Sequence, residues 1–202
     1  MEQNPVKRSL RTKLRAKRQA ISHSEQIEKS KALVPILEKM PEFIKSQHIA
    51  FYSAVENEID PEYLLTAAQR LGKKCYLPVL HPLKAELWFV HYKIGDKLTQ
   101  NRFKILEPKL DAKKIIPAWS LDLVLVPMLA FDSKGRRLGT GGGYYDRTFA
   151  FTKTKSRPKL PRLIGLAYDF QEVSSLPWDD WDIQLTGIVT NKGYLEGKLR
   201  SL

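Results

Sequence analysis

Leu121-Asp122-Leu123-Val124-Leu125-Val126-Pro127, followed further on by Arg137-Leu138-Gly139-Thr140-Gly141-Gly142-Gly143-Tyr144-Tyr145-Asp146-Arg147, is the part of the chain on which the fold turns. An apolar run of strand length stops at a proline, and a glycine cluster then leads into a helix predicted from Tyr144 to about Thr152. Glycines have no Cβ, so consecutive N–H groups can turn towards one anion, and a helix start adds the positive end of its dipole. Arg137 and Arg147 flank the turn with fixed charge. The pattern reads as a phosphate cradle beyond the end of a strand; the plainer alternative is a flexible turn ahead of a helix. A P-loop needs Gly-Lys-Ser/Thr where Gly143-Tyr144 stands, and a dinucleotide loop begun at Gly139 needs its third glycine at Tyr144, so neither fingerprint fits.

Outward from this segment, His48 to Tyr52, Lys74 to Leu80, Leu87 to Tyr92, Arg162 to Ala167 and Gly187 to Thr190 read as further strands. Between them lie helical patterns. From Val6 to Ile21 neither proline nor glycine intervenes; Leu10, Leu14 and Ile21 share one stripe, and Lys7, Arg11, Arg15 and Arg18 line the adjoining face. Those charges either point along the surface into a cleft or are simply solvated. Ser22 with Glu25 forms a capping box for a second helix, in which Pro35 predicts a kink or break. Asp60-Pro61 reads as an N-cap and first helical residue of a helix ending at Gly72. Residues 95–119 read as a long irregular excursion. Strands alternating with helices predict an α/β layer fold with a mostly parallel sheet and ligands beyond the carboxyl ends of its strands. The whole chain, 1–202, reads as one domain.

A hydrophobic content of 43% against 28% charged is that of a globular protein, not a disordered one. The net charge of +12 calls for a polyanionic partner: nucleic acid, an anionic membrane surface, or a phosphorylated or polycarboxylate small molecule. No recognised nucleic-acid-binding module is present, which leaves that class as the competitor. Cys75, the single cysteine, has no internal partner and reads as a buried, inert thiol in a reducing cytosol. Neither a signal peptide nor a run of membrane-spanning length is visible, so a cytoplasmic protein is expected.

Histidines 23, 48, 81 and 91 lack metal-ligand spacing, and no Gly-x-Ser-x-Gly elbow occurs. With no evident covalent nucleophile, what remains is a cradle, basic residues and isolated carboxylates, the equipment of electrostatic phosphoryl transfer. Asp146 is placed either to meet a magnesium ion riding on phosphates or to complement a helix dipole. Trp178-Asp179-Asp180-Trp181-Asp182 offers a second carboxylate, with Asp179 and Asp180 read as a solvated acidic turn. Glu56 and Glu58 follow the strand at His48, where a carboxylate can accept hydrogen bonds from an amino-substituted ring or merely face solvent. Tyr144 and Tyr145 either stack on a planar ligand or fill the core.

Pro127-Met128-Leu129-Ala130-Phe131-Asp132, Gly135, Arg137-Leu138-Gly139 and Gly141 through Arg147 together resemble the defining segment of the 5-formyltetrahydrofolate cyclo-ligase family. Lys7-Arg8-Ser9-Leu10-Arg11, Glu58, Ile105-Leu106-Glu107-Pro108 and Pro177 through Asp182 leading to Val189-Thr190 extend the resemblance along nearly the whole chain. It implies a three-layer α/β/α fold like that of sugar-phosphate isomerases and CoA transferases. It implies ATP- and magnesium-dependent closure of 5-formyltetrahydrofolate to 5,10-methenyltetrahydrofolate, with release of ADP and phosphate. By position, it implies ATP contacts at Lys7, Arg11, Arg137, Gly139, Thr140, Gly141, Gly142, Gly143, Tyr144 and Tyr145. Folate contacts are implied at Tyr52, Glu58, Gly142, Gly143 and Tyr144, and magnesium ligands at Asp146 and Asp182. Thr140 and Gly142 stand where some relatives carry arginine and lysine, and Thr186 where relatives often carry aspartate. The expected partners are ATP and a folate, polyglutamylated or not, bound by a monomer without nucleic acid or membrane. The alternatives are a basic nucleic-acid-binding protein and a kinase of another small acceptor.

Overall fold

A computed structural model of the chain describes residues 4–154 and 160–197. Helix α1 (Pro5–Gln19) starts where the Asn4 side chain accepts the Val6 and Lys7 N–H groups, with Pro5 supplying a preset φ. Helix α2 (His23–Glu38) opens on the expected capping box of Ser22 and Glu25. Pro35 does not break α2: the helix runs on to Glu38, and the burial of Leu33 and Leu37 offsets the one hydrogen bond lost at proline. Helix α3 (Pro41–Lys45) and strand β1 (His48–Ala50) follow, then α4 (Glu62–Arg70), β2 (Lys74–Leu80) and β3 (Leu87–His91). The cap of α4 is shifted by one residue: Pro61 occupies it, while Asp60 Oδ1 accepts the Glu62 N–H at 3.0 Å.

The segment 95–119, expected to be irregular, contains a hairpin of β4 (Leu98–Gln100) and β5 (Leu106–Pro108) and the edge strand β6 (Ile115–Ile116). These strands are two or three residues long and mostly polar or half exposed, so no period of two is long enough to read. Strand β7 (Leu123–Pro127) leads to a second hairpin, β8 (Ala130–Phe131) and β9 (Arg137–Leu138), whose turn is tied by the buried Asp132 carboxylate to the Lys134, Arg136 and Leu176 N–H groups. Helix α5 (Tyr144–Thr148) is shorter than expected, passing into a 3-10 turn at Ala150–Lys153. Strands β10 (Arg162–Leu166), β11 (Gly187–Thr190) and β12 (Gly193–Glu196) complete the described chain.

The central sheet runs β12-β11-β10-β7-β1-β2-β3-β6, with β11, β10, β7, β1 and β2 mutually parallel and antiparallel pairings β11–β12, β2–β3 and β3–β6 at its margins. Alternate residues face opposite layers. Ile49, Leu123 and Ile164 pack under α2, α3 and α4, whereas Ala50, Val124 and Leu163 pack with Tyr144, Tyr145, Phe149 and Phe151 of the α5 side. The fold is therefore a three-layer α/β arrangement with one thick and one thin helical layer. Helix α1 lies outside both, packing Leu14 against Ala130, Leu138 and Leu176.

From β1 the chain fills the sheet outward through β2, β3 and β6, then returns to the other side of β1 with β7 and proceeds to β10, β11 and β12. The crevice outside the carboxyl ends of β1 and β7 is thus the point where strand order reverses, the place where open α/β sheets bind ligands. Among the described residues no helix is long and apolar enough to cross a membrane. Cys75 is buried, as expected, and burial pushes its thiol up to about 12.

Candidate active site

After β1 the chain turns through Glu56 and Asn57, both left-handed at φ 49° and 58°, to deliver Glu58 to the crevice. Non-glycine residues hold that conformation only when surroundings enforce it. Here Asn57 Nδ2 donates to Ile21 O at 2.9 Å, Tyr168 Oη to Asn57 O at 2.9 Å, and Gln26 Nε2 to Glu58 O at 2.7 Å. Glu58 is only 6% exposed. Its Oε1 accepts Arg18 Nη1 at 3.0 Å and its Oε2 the Val55 N–H at 3.2 Å. Burial pushes the carboxyl up to about 6, against the opposing pull of Arg18 and the Val55 N–H. Tyr52 lies beside it, buried, with its hydroxyl given to Ile59 O at 2.6 Å, so that residue braces the loop.

The glycine loop leaves β9 across the same edge. Gly141 and Gly143 have φ of 111° and 64°, left-handed values that favour glycine. Among the described residues, the N–H groups of Thr140, Gly141, Gly142 and Gly143 donate to no protein acceptor. Such a run of open backbone donors is what an anion needs. Helix α5 has five residues, so its dipole adds less than the open N–H groups do. Arg11 reaches the loop from α1, its Nε donating to Gly139 O at 3.0 Å, with its guanidinium 3.6 Å from where a Gly141 Cβ would stand.

The two arginines expected to flank the loop are otherwise engaged. Arg137 is buried beneath it, donating to Asp146 Oδ1 at 2.9 Å and to Ile183 O at 3.0 Å. Arg147 donates to Ala85 O at 2.7 Å and to Gly142 O, and lies over the Tyr144 ring. Tyr145 is partly buried between the two ends of the site: burial and the Glu58 charge both push its phenol up, while Arg137 opposes them. Tyr144 meets the β4–β5 hairpin, its hydroxyl accepting Arg102 Nη2 at 2.7 Å and its ring edge-on to Phe103 at 5.8 Å.

Asp146 and Asp182 come to one place, because Asp146 Oδ1 also accepts the N–H of Ile183, the residue after Asp182, at 3.1 Å. Asp182 Oδ2 accepts Lys7 Nζ at 3.0 Å and the Asp179 N–H at 3.0 Å. Lys7 also pairs with Asp179 Oδ2 at 2.5 Å. Burial works against the Lys7 ammonium, but hydrogen bonds to Asp179 and Asp182 outweigh it and hold its pKa above the ordinary value. Asp179 is therefore an ion-pair partner, contrary to the solvated turn expected for it, whereas Asp180 is exposed as expected. Thr186 stands just before β11 and turns to β10 instead, its Oγ1 accepting the Leu163 N–H at 3.2 Å. Among the described residues no three His, Cys, Asp or Glu side chains converge as a metal cage. Asp146 and Asp182 are the carboxylates that could take magnesium carried in on phosphate, an ion that needs one or two protein oxygens and fills its octahedron from phosphate and water.

One edge of the sheet thus gathers Lys7, Arg11, the glycine loop, Asp146, Asp182, Glu58 and Tyr52. Sequence reading did not single out Arg102 and Phe103, which lie in the excursion, or the pairing of Asp179, which charge alone does not reveal. It saw Arg18 only as one member of a basic stripe. Its full burial could have been suspected from its i+4 spacing to Leu14, the one buried apolar residue of that turn.

A model of the 5-formyltetrahydrofolate cyclo-ligase family matches residues 3–191. The chain is 37% identical over 179 residues to the 5-formyltetrahydrofolate cyclo-ligase of Escherichia coli K12, covering 88% of this chain and 96% of that one. With the cyclo-ligase of Haemophilus influenzae it shares 36% over 184 residues, 91% of this chain and 96% of that protein. The NMR structure of Aquifex aeolicus 5,10-methenyltetrahydrofolate synthetase superimposes with a TM-score of 0.79 at 32% identity, over 98% of this chain and 96% of that one. Sequence and fold agree: the chain belongs to the 5-formyltetrahydrofolate cyclo-ligase family.

Proposed function

We propose that this protein closes 5-formyltetrahydrofolate to 5,10-methenyltetrahydrofolate at the expense of ATP, and that the crevice between the ends of β1 and β7 is where it does so. The observation that carries this reading is that one helix, α1, reaches a loop of open N–H donors through Arg11 and a buried carboxylate through Arg18. The first suits a triphosphate and the second an amino-substituted ring. In this reading Lys7, Arg11, Arg137, Gly139, Thr140, Gly141, Gly142, Gly143, Tyr144 and Tyr145 serve ATP, with Arg137 acting from beneath through Asp146. Glu58 accepts the N–H groups of the pterin, Tyr52 braces its loop, and Gly142, Gly143 and Tyr144 touch folate where the two substrates meet.

The formyl oxygen attacks the γ-phosphorus and ADP leaves; N10 then attacks the formyl carbon, losing its proton, and phosphate departs with the former formyl oxygen. No side chain becomes covalently attached, so the protein contributes positioning and charge complementarity. The cradle N–H groups and Arg11 hold phosphate oxygens, and Glu58 fixes the pterin so that the formyl group faces them. Asp146 and Asp182 would hold magnesium, which when bound neutralises charge on the phosphates. Lys7, which pairs with Asp182, lies where it would add positive charge beside the same phosphates.

The proposal includes a single cyclo-ligase domain over 1–202, a monomer in a reducing cytoplasm, and no nucleic-acid or membrane partner. Support for the compartment is the single buried cysteine. The test is turnover: purified protein with 5-formyltetrahydrofolate, ATP and magnesium is expected to generate the near-ultraviolet absorbance of the methenyl product. A folded sample that produces none, while binding nucleic acid tightly and salt-sensitively, would replace this reading with the competing class.

A further inference from the structure

Arg18 is the largest fully buried side chain in the described molecule, and its relative exposure is 0%. A guanidinium is costly to remove from water, and burying one serves stability poorly compared with an apolar side chain of the same volume. Its donors are all directed at the loop after β1 and at the end of β7. Nε donates to Glu56 O at 2.9 Å, Nη2 to Glu56 Oε2 at 3.1 Å, and Nη1 to Glu58 Oε1 at 3.0 Å and Met128 O at 3.5 Å. The Met128 carbonyl is held in turn by Gln171 Nε2 at 2.7 Å. Arg18 therefore sits in the switch-point crevice, gripping both of its walls. Glu58 is the one buried carboxylate it touches; Glu56 is 43% exposed.

We propose that Arg18 is a positioning residue for the folate reaction, acting through Glu58: it fixes the direction of the Glu58 carboxylate and keeps it ionised as an acceptor. This rests on the reading of Glu58 as the pterin-binding group. With one oxygen bound to Arg18 and the other to Val55 N–H, the carboxylate cannot rotate, and its remaining lone pairs are presented to the crevice. The groups facing it are Arg18 from α1, Glu56 from its own loop, Tyr52 after β1, Tyr145 from α5 and Tyr168 after β10. Arg18 is the only cation among them. Without it, a carboxyl that burial already pushes up to about 6 takes a proton near neutral pH and turns from acceptor to donor. Helix α1 also carries Lys7 and Arg11, so the phosphate end and the folate end hang from one rod, about 16 Å apart between residues 7 and 18 at 1.5 Å per residue.

The experiment is a mutant cycle in the full chain with steady-state kinetics for both substrates. Arg18→Lys, which keeps the charge but loses the fork, is expected to raise KM for 5-formyltetrahydrofolate about tenfold and KM for ATP less than about twofold. Arg18→Met, which removes the charge, should move the acidic limb of kcat/KM for the folate above its wild-type position. The double variant Arg18→Met/Glu58→Gln, which removes both buried charges and so retains the fold, should be no worse than Glu58→Gln alone. A merely structural Arg18 predicts equal rises in both KM values with an unmoved limb, or effects that multiply in the double variant; either result overturns the proposal. Wild-type protein that makes no methenyl product removes the cyclo-ligase reading and this proposal with it, whereas an active wild type with multiplying effects removes this proposal alone.

Discussion

Glu58 shows how one residue is made useful by surroundings that oppose its charge. Its folded pKa of about 6 lies above the ordinary 4.5, so the folded protein binds the proton more tightly than the unfolded chain does. The cost of ionised Glu58 is absent below the unfolded pKa of 4.5 and complete above about 6, and stability falls as pH rises between them. Activity follows the opposite course, because the proposed acceptor role needs the ionised form. We expect kcat/KM for 5-formyltetrahydrofolate to fall below pH 6 and Glu58→Gln to abolish that limb. The same variant should raise KM for the folate by on the order of tenfold or more, the worth of one charge-assisted hydrogen bond, with ATP affected less than about twofold. A limb that survives Glu58→Gln would assign it to another group. The proposed role of Glu58 was legible only through resemblance to a family, since Glu56 two residues earlier has the same chemistry and also pairs with Arg18, while being half exposed and shared with Arg15. What separates them is the pair of left-handed residues between strand and site, and no local sequence pattern announces those.

At the scale of elements, long apolar strands and capped helices were readable and short pieces were not. β2 and β11 fall where the sequence predicts them, because a run such as Lys74 to Leu80 has buried residues bounded by turn signals. β4, β5 and β6 are too short to show a period, and α5 stops after five residues because Phe149 turns into the core beside Phe89. The open backbone of the glycine loop was legible, but not the depth of Arg137 beneath it. Its conformation makes a direct prediction. An alanine Cβ at Gly143 would meet Arg147 Nη1 at 2.7 Å on a backbone of φ 64°. Gly143→Ala should therefore lower unfolding free energy in urea by about 1–2 kcal/mol, the left-handed penalty, and raise KM for ATP. Gly139→Ala, where a Cβ would meet nothing within 4 Å, should leave stability unchanged. Equal losses at both positions would mean that the loop's backbone geometry is not what holds the nucleotide.

On the scale of the whole molecule, the parallel sheet decides where chemistry can happen and net charge decides what is drawn there. Lys7 reaches Asp182, and Arg18 reaches both Glu58 and Met128 O, because α1 crosses the carboxyl ends of β1 and β7. Alternation of strands and helices made that edge predictable; the crossing of α1 was not, since it depends on Leu14 docking against a two-residue hairpin. The charge of +12 exceeds what one triphosphate requires and suits a polyglutamate tail. KM for the folate is expected to fall with tail length, and the difference to shrink as salt rises from about 0.01 to 0.15 M, where the screening length drops from about 30 to 8 Å. Equal KM values for all tails would detach the charge from substrate choice.

The most direct test of a site that only positions its substrates is the fate of one oxygen. With 5-formyltetrahydrofolate labelled with ¹⁸O in the formyl group, a single turnover with ATP is expected to yield the methenyl product and inorganic phosphate that carries the label, with no phosphorylated protein. Label lost to water, or phosphate trapped on a side chain, would contradict direct transfer between two substrates held in this crevice.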